Sequence, residues 1–556
     1  MNNKNNKLSF IIALIVTAFT TISCVDNLNV IPINPQVTQT FNQDEVFAKV
    51  YASFALTGQE GPAGNGDIEG LDEGRFSIYR CLWNVNELST DEAICSWSDA
   101  EVLELNYNNW SSQSTITDGL YSRLYFTVTL CNHFLEQTNG LTDDISVKQR
   151  AEVRFLRATA YYYLMDFFGN VPFTEVVSLT PPTQMKRADL FAWVEKELKE
   201  CSADMYEPRT APYYRVDKAA AWLLLSRLYL NAVVYTSVPA TATEAAVVGT
   251  PRWDDAAIYA KRVIDSGYVL NPSFKQLFMA DNAGTIDGST VNTAPQEIIF
   301  PIAADGKKTK AWGTSLFLIA STHSTGMVPW GTTESWGGNR ARATLLKKFF
   351  TINPSGTSVS GFFSDSKDLT TSLIASSKDN RALFDKSSLS LGLAITGPTI
   401  FRQGYQVIKF TNVRADGGTT SDTQYTDMDV PFMRVAEAYL NYAEAVLRGG
   451  AVVSGYAAID AVNALRTRAS APVFNTTTNP LTLPKILDER AREFFFEGYR
   501  RSDLIRFNMY GGATGYTWDW KANEPAGVDF PADYNLFPIP ANDLNANSNL
   551  VQNPGY

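Results

Sequence analysis

The sequence predicts a mainly α-helical protein that carries one long loop-rich region. Three observations predict this. Apolar residues recur at helical spacing through the first half and the last quarter. The apolar faces carry alanine almost once per turn. Between 271 and 430 the periodicity gives way to Gly, Ser, Thr and Asn, with tryptophans set among glycines. A small residue at each turn lets helix axes approach closely, which suits stacked helix pairs of the tetratricopeptide-like kind. The spacing is irregular and no period of about 34 residues appears, so the pairs are read as degenerate.

Each element has its own signal. Ser146 and Gln149 read as a capping box. Ala151, Phe155, Ala158, Tyr162 and Met165 then line one helix face, which stops at Gly169-Asn170 and Pro172. Asp217 opens a second helix with Ala221, Leu225, Leu228 and Ala232 on one side. A third, from Trp253 to Ser266, has Trp253, Ala257, Ala260 and Ile264 in line. Ala436, Tyr439, Ala443 and Val446 form a helix closing at Gly449-Gly450. Ala458, Val462, Leu465 and Ala469 form the next, so 434–469 reads as a helical hairpin. In the middle region Glu297–Ile302 is strand-like. Trp312, Trp330 and Trp336 each adjoin a glycine and lie on no periodic apolar face. A loop region this long inside a compact protein is usually functional.

The N-terminus carries an export signal. Lys4 and Lys7 precede an apolar run from Leu8 to Ala18, then Thr20-Thr-Ile-Ser23-Cys24. That is the layout of a secretory signal peptide, and the run is shorter than the ~20 residues that span a bilayer. Cleavage after Ser23 would leave Cys24 at the new N-terminus, placed for lipidation in the bacterial lipoprotein manner. Position −3 is Thr21 rather than the usual Leu. Residues 1–23 are therefore read as the signal peptide and 24–556 as one domain. In it, 24–270 and 431–556 are mostly helical scaffold and 271–430 contributes the ligand face.

Composition excludes several function classes. The chain carries a net charge of −11, or −13 once Lys4 and Lys7 leave with residues 1–23, and has no basic block. That argues against nucleic acid as a partner. Only two histidines are present, His133 and His323, too few for a multi-His metal site and a poor inventory for a His triad. Cys81, Cys95, Cys131 and Cys201 show no C-x-x-C pairing. Cys81–Cys95 could pair in an oxidising space, but free buried thiols are favoured. The acid pairs Asp72-Glu73, Asp91-Glu92 and Asp427/Asp429 are expected by chance among 58 acids. Asp427 and Asp429, two apart, would lie on one side of an extended segment and could join a calcium site. No nucleophile elbow, P-loop or dinucleotide fingerprint occurs. The stretch Glu489–Asp503, dense in charge and aromatics, reads as structural. Tryptophan on glycine-flanked loops, with Arg, Asp, Asn or Gln nearby, suits carbohydrate: a flat ring covers the C–H face of a sugar and polar groups bond its hydroxyl rim.

Longer stretches carry a resemblance. They are Ala151–Ala158 with Tyr161–Pro172, Pro431–Ala445, Glu489–Leu504, Phe537–Pro540 and Gln552–Tyr556, together with Cys24 after its signal. This set resembles the SusD/RagB family of Bacteroidetes outer-membrane nutrient-binding lipoproteins, over essentially the whole mature chain. Asn86–Glu92, Ala203–Arg209 and Leu277–Asn282 are similar to the family's starch-binding member. The resemblance implies a helix-pair scaffold under a loop-rich ligand face. It implies a non-catalytic protein, without a cofactor for chemistry, that captures starch or malto-oligosaccharides at the outer membrane and passes them to a TonB-dependent SusC-like barrel. By resemblance the ring arc maps to Trp97, Trp312 and Trp336, its polar contacts to Asp72 and Arg80, and a structural calcium to Asp427, Asp429, Asp281 and Gln296. Two departures trim the arc: Cys95 stands where that member has a further tryptophan, and Ala100 where it has an amide. A different glycan is the alternative within this class. A lipid-anchored glycoside hydrolase is the alternative outside it, and a protein-binding scaffold is a third.

Overall fold

Helices make up 44% of the computed structural model, and strands are few. The described residues are 40–58, 62, 66–238, 246–288, 290–325, 327, 329–350, 374–385 and 393–556. The signal residues 1–23 and Cys24 lie outside them. Contacts divide the chain into a short N-terminal unit, Met1–Gln43, and a body, Asp44–Tyr556, to which everything below belongs.

The scaffold helices are α1 (Ile78–Trp83), α2 (Thr115–Gln137), α3 (Asp144–Phe168), α4 (Arg187–Asp204), α5 (Lys218–Leu230), α6 (Trp253–Ile264), α7 (Ser315–Ala320), α8 (Val435–Leu447), α9 (Ala458–Arg468), α10 (Leu483–Phe494) and α11 (Arg500–Arg506). Each long helix packs on the next: α2 on α3, α3 on α4, α4 on α5 and α5 on α6. Then α6 packs on α8, and α8 on α9. The stack therefore runs on unbroken in space between Ile264 and Val435, and the intervening stretch is an insertion into it. Alanine makes this possible. Ala220 and Ala221 on α5, Ala256, Ala257 and Ala260 on α6, and Ala436, Ala438 and Ala443 on α8 are buried where axes approach.

The sequence reading differs from the structure in two details. Helix α3 starts before the expected capping box, because the Asp143 side chain accepts the Ser146 N–H at 3.0 Å and caps the turn. Gln149 instead donates to Asp44 at 3.0 Å. The Asp217 cap stands, accepting Ala219 N–H at 2.8 Å. That helix, however, ends at Asn231, whose amide turns back to the Arg227 carbonyl, and Ala232 begins a separate short helix.

The inserted region is less irregular than its composition suggests. The strand-like fragment is β2 (Ile298–Ile302), following β1 (Ala93–Cys95). β3 (Asn339–Ala341) pairs antiparallel with β1, and β4 (Val430–Arg434) pairs antiparallel with β2 through a bulge. Every residue of these four strands is buried. The four cysteines 81, 95, 131 and 201 are free and buried, and burial pushes the Cys81, Cys95 and Cys131 thiols up to about 12.

Stretch 489–503 packs as part of the scaffold, with its charged heads paired and most of them buried. Glu493 accepts hydrogen bonds from Arg381, Arg434 and Arg468, and Glu489 from Arg381, Arg466 and Arg492. These groups join α10 to the insertion and to β4 and α9.

Candidate functional site

Three segments distant in sequence meet beside α1. The first is α1 itself with the turn before it and the strand after it. Ser77 caps α1, accepting the Arg80 N–H at 3.2 Å, and its hydroxyl donates to the Gly313 carbonyl at 2.6 Å. That bond fastens the Trp312 loop to the helix bearing Arg80. A Cβ on Gly313 would lie 2.3 Å from the Ser77 hydroxyl, so the approach needs glycine. Trp97 follows β1. Its ring lies against Gly338, where a Cβ would come within 2.3 Å of Nε1. Trp336 is set by backbone bonds from its own N–H, at 2.7 Å, and that of Gly337, at 3.1 Å, to the Ala320 carbonyl at the end of α7. Gly338 thus lets the Trp97 ring lie directly on backbone, while Gly313 and Gly337 let their loops close on Ser77 and Ser324.

The result is a continuous row of rings. Trp97 and Trp336 have centroids 6.4 Å apart with planes at 59°. Trp336 and Trp312 are 6.1 Å apart at 45°. A fourth ring, Tyr425, stands 5.3 Å from Trp312 at 56°. All four are partly exposed. No two neighbours are coplanar.

Polar groups edge the row. The Arg80 guanidinium lies 5.6 Å from the Trp97 ring and 4.8 Å from Phe317, and donates from Nη1 to the Gly74 carbonyl at 2.8 Å. Among the described residues its Nε finds no hydrogen-bond partner. Burial pulls Arg80 down to about 10, which leaves it a cation at neutral pH. Asp72 is exposed, and a Cβ on Gly74 would touch both its carboxylate, at 3.3 Å, and Trp312, at 3.4 Å. Asp72, Arg80 and Trp312 therefore converge on Gly74.

The five expected site residues are thus brought together. Cys95 is fully buried in β1 and takes no part in the exposed row, and Ala100 is exposed without a polar group to offer. Trp330, the third glycine-flanked tryptophan, has another task. It packs on buried His323 at 5.5 Å and donates to the Glu334 carbonyl at 2.7 Å, so it braces the loop. Sequence reasoning missed Tyr425, Lys310, Glu334 and Gln424. Their only local signals are the lysine two before Trp312 and the acid two before Trp336.

The calcium set expected at Asp427, Asp429, Asp281 and Gln296 is not gathered into one site. Among the described residues no three acidic, His or Cys side chains stand placed to hold an ion. Asp427 accepts the Gly306 and Ser421 N–H groups at 2.9 and 2.7 Å, and Asp281 accepts the Ala415 N–H at 3.0 Å. Gln296 donates to Asn271 at 3.1 Å. Asp429 accepts Ala304 N–H at 2.8 Å and is fully buried; burial, with Asp287 and Asp427 nearby, pushes it up to about 8. The other carboxylate oxygen of Asp429 finds no hydrogen-bond partner among the described residues.

The acid pair Asp91-Glu92 lies in the interior. Against burial, Arg500 at 2.6 Å holds Asp91 down at about 2, while burial pushes Glu92 up to about 8. Neither is presented to the ring row.

A helix-pair scaffold offering a row of half-exposed rings, edged by an arginine and a carboxylate, defines a glycan-binding class of surface. The chain belongs to the SusD family. Residues 398–556 match the SusD family, and residues 81–230 match a family described as starch-binding associating with outer membrane. The chain is 39% identical over 581 aligned positions, covering all of both chains, to the starch-binding protein SusD of Bacteroides thetaiotaomicron. Its fold is similar to that of surface glycan-binding protein A from Bacteroides fluxus, at TM-score 0.66 and 20% identity over 92% of this chain and 99% of that one. The same protein from Bacteroides thetaiotaomicron, solved in complex with laminarihexaose, matches at TM-score 0.64 and 18% identity over 92% and 98%. The mainly α, tetratricopeptide-like fold expected from sequence is the fold of these relatives.

Proposed function

We propose that the ring row binds an α-1,4-glucan, starch or a malto-oligosaccharide, outside the cell, and that the protein hands it to a TonB-dependent SusC-like transporter. The observation that carries this reading is the turn of the row. Successive planes are inclined by 59°, 45° and 56°. A flat β-1,4-glucan can stack on one or two such rings. An α-1,4-glucan turns along its length and offers a fresh sugar face to each. Arg80 and Asp72 stand at the edge where hydroxyls project. The name of the 39%-identical relative supports the same ligand. Titration calorimetry of the mature protein tests it. Maltoheptaose and amylopectin should bind and cellohexaose should bind at least tenfold more weakly. Equal affinity for both linkages would overturn the reading.

The anchor belongs to the same proposal. Cys24 follows the signal sequence, and among the described residues no helix is long and apolar enough to cross a membrane. A lipid on Cys24 would hold the protein at the outer membrane, provided more than one acyl chain is attached. Cys24→Ser should move the protein from the membrane fraction to the soluble one. Unchanged fractionation would rule out Cys24 as the attachment point.

A further inference from the structure

Segment 423–425 is built to present a ring. It is knitted to the Trp336 loop at three points. Thr333 N–H donates to the Thr423 carbonyl at 2.9 Å, the Thr332 hydroxyl to the Gln424 carbonyl at 2.5 Å, and the Gln424 amide to Glu334 Oε1 at 2.8 Å. The other oxygen of that carboxylate accepts the Trp336 indole N–H at 2.8 Å. One glutamate thereby fixes the indole at the centre of the row and the segment at its end. On its other side the segment is fastened to α7 by the Thr426–Ser315 hydroxyl pair at 2.7 Å, and Asp422 accepts the Tyr425 N–H at 3.0 Å. Tyr425 nevertheless remains partly exposed. The ring is rigidly mounted and left open. Lys310 lies over it, 5.4 Å from the centroid. Its three donor hydrogens stand at the end of the row opposite Arg80.

We propose that Tyr425, with Lys310 as hydroxyl donor, is a fourth sugar subsite that extends the platform past Trp312 and makes affinity depend on chain length. This rests on the reading of the row as an α-glucan site. Tyr425 continues the row: its centroid stands 5.3 Å from Trp312, after steps of 6.4 and 6.1 Å, and its plane is again inclined to its neighbour. A glucan long enough to pass Trp312 meets a further ring and a cation, and a shorter one does not. Glu334 acts as a positioning residue, since it ties the central Trp336 indole to the segment that carries Tyr425.

The test is titration of wild-type, Tyr425→Ala, Tyr425→Phe and Lys310→Ala proteins with maltotriose and maltoheptaose, with a thermal melt on each. Wild type should prefer maltoheptaose. Tyr425→Ala should weaken maltoheptaose at least fivefold and leave maltotriose within about twofold. Tyr425→Phe, which keeps the ring, should restore the preference. Lys310→Ala should reduce it without touching the ring mount, which keeps the test open if the alanine variant at 425 melts early. Equal loss for both sugars in Tyr425→Ala, or no loss for either, would overturn the subsite while leaving the α-glucan reading intact. Failure of wild type to bind either sugar would overturn that reading and the subsite with it.

Discussion

Glu493→Ala is expected to destabilise the fold by about 3–5 kcal/mol at neutral pH, the range typical of breaking a buried ion pair from one side. Glu493 is 0% exposed and receives Arg381 at 3.0 Å along with Arg434 and Arg468. Truncation leaves three guanidiniums in the interior with one carboxylate fewer. Each keeps another partner: Asp379 and Glu489 for Arg381, Glu297 for Arg434 and Arg468. Those partners keep the loss within that range. The same cluster sets an acid limit on stability. Burial alone would raise the Glu493 carboxyl, but Arg468, Arg434 and Arg381 hold it well below the usual range. Arg381, Arg492 and Arg466 likewise hold Glu489 at about 2. Carboxyls depressed in the folded state contribute stability above their unfolded value of 4.5, and that contribution is lost as pH falls toward 2. Urea denaturation at pH 7 and at pH 3 checks both halves. Wild type should lose stability between the two, and the variant should lose less over that interval. A variant as stable as wild type at pH 7 would show that the cluster is dispensable.

Trp336→Ala is expected to weaken maltoheptaose or amylopectin binding by roughly 1–3 kcal/mol, about 5- to 150-fold, with a near-unchanged melting temperature. Trp336 is the ring that touches both Trp97 and Trp312, so its loss splits the row in two. Its side chain is half-exposed, and its only hydrogen bond within the described chain is to Glu334. A fully buried tryptophan would instead cost about 3–5 kcal/mol of stability on truncation. Calorimetry and a thermal melt on one sample separate the two outcomes. A large fall in melting temperature, or full retention of binding, would remove Trp336 from the site.

The helices were legible because their signals are local. The Asp217 cap, the alanine faces around 221, 257 and 443, and the stop at Gly169 are each written within a few residues of the turns they govern. The choice between neighbouring caps was not legible. Asp143 and Ser146 both carry a capping side chain, and only the path of the chain before α3 selects Asp143. The family, too, was legible, since long contiguous stretches carry it.

The glycan platform divides differently. Glycine beside tryptophan marked Trp312 and Trp336 as special, and the structure gives the reason: Gly313 closes on Ser77, Gly337 on Ser324 and Gly338 on the Trp97 ring, each where a Cβ would collide. The same mark on Trp330 had another meaning, because its packing on His323 is a matter of tertiary structure. Tyr425 carried no mark. The surroundings of Asp427 and Asp429 were not legible from their spacing, since they are supplied by backbone N–H groups of residues 306, 421 and 304, brought in by the tertiary fold. By itself the sequence determined what depends on neighbours along the chain: the helix-pair scaffold, the extent of the inserted region, and the residue types able to stack on sugar. Tertiary structure alone decided which rings share a surface. Positions 97, 312, 336 and 425 meet through contacts distant in sequence: Ser77 with Gly313, Trp97 with Gly338, Trp336 with Ala320 and Thr333 with Thr423.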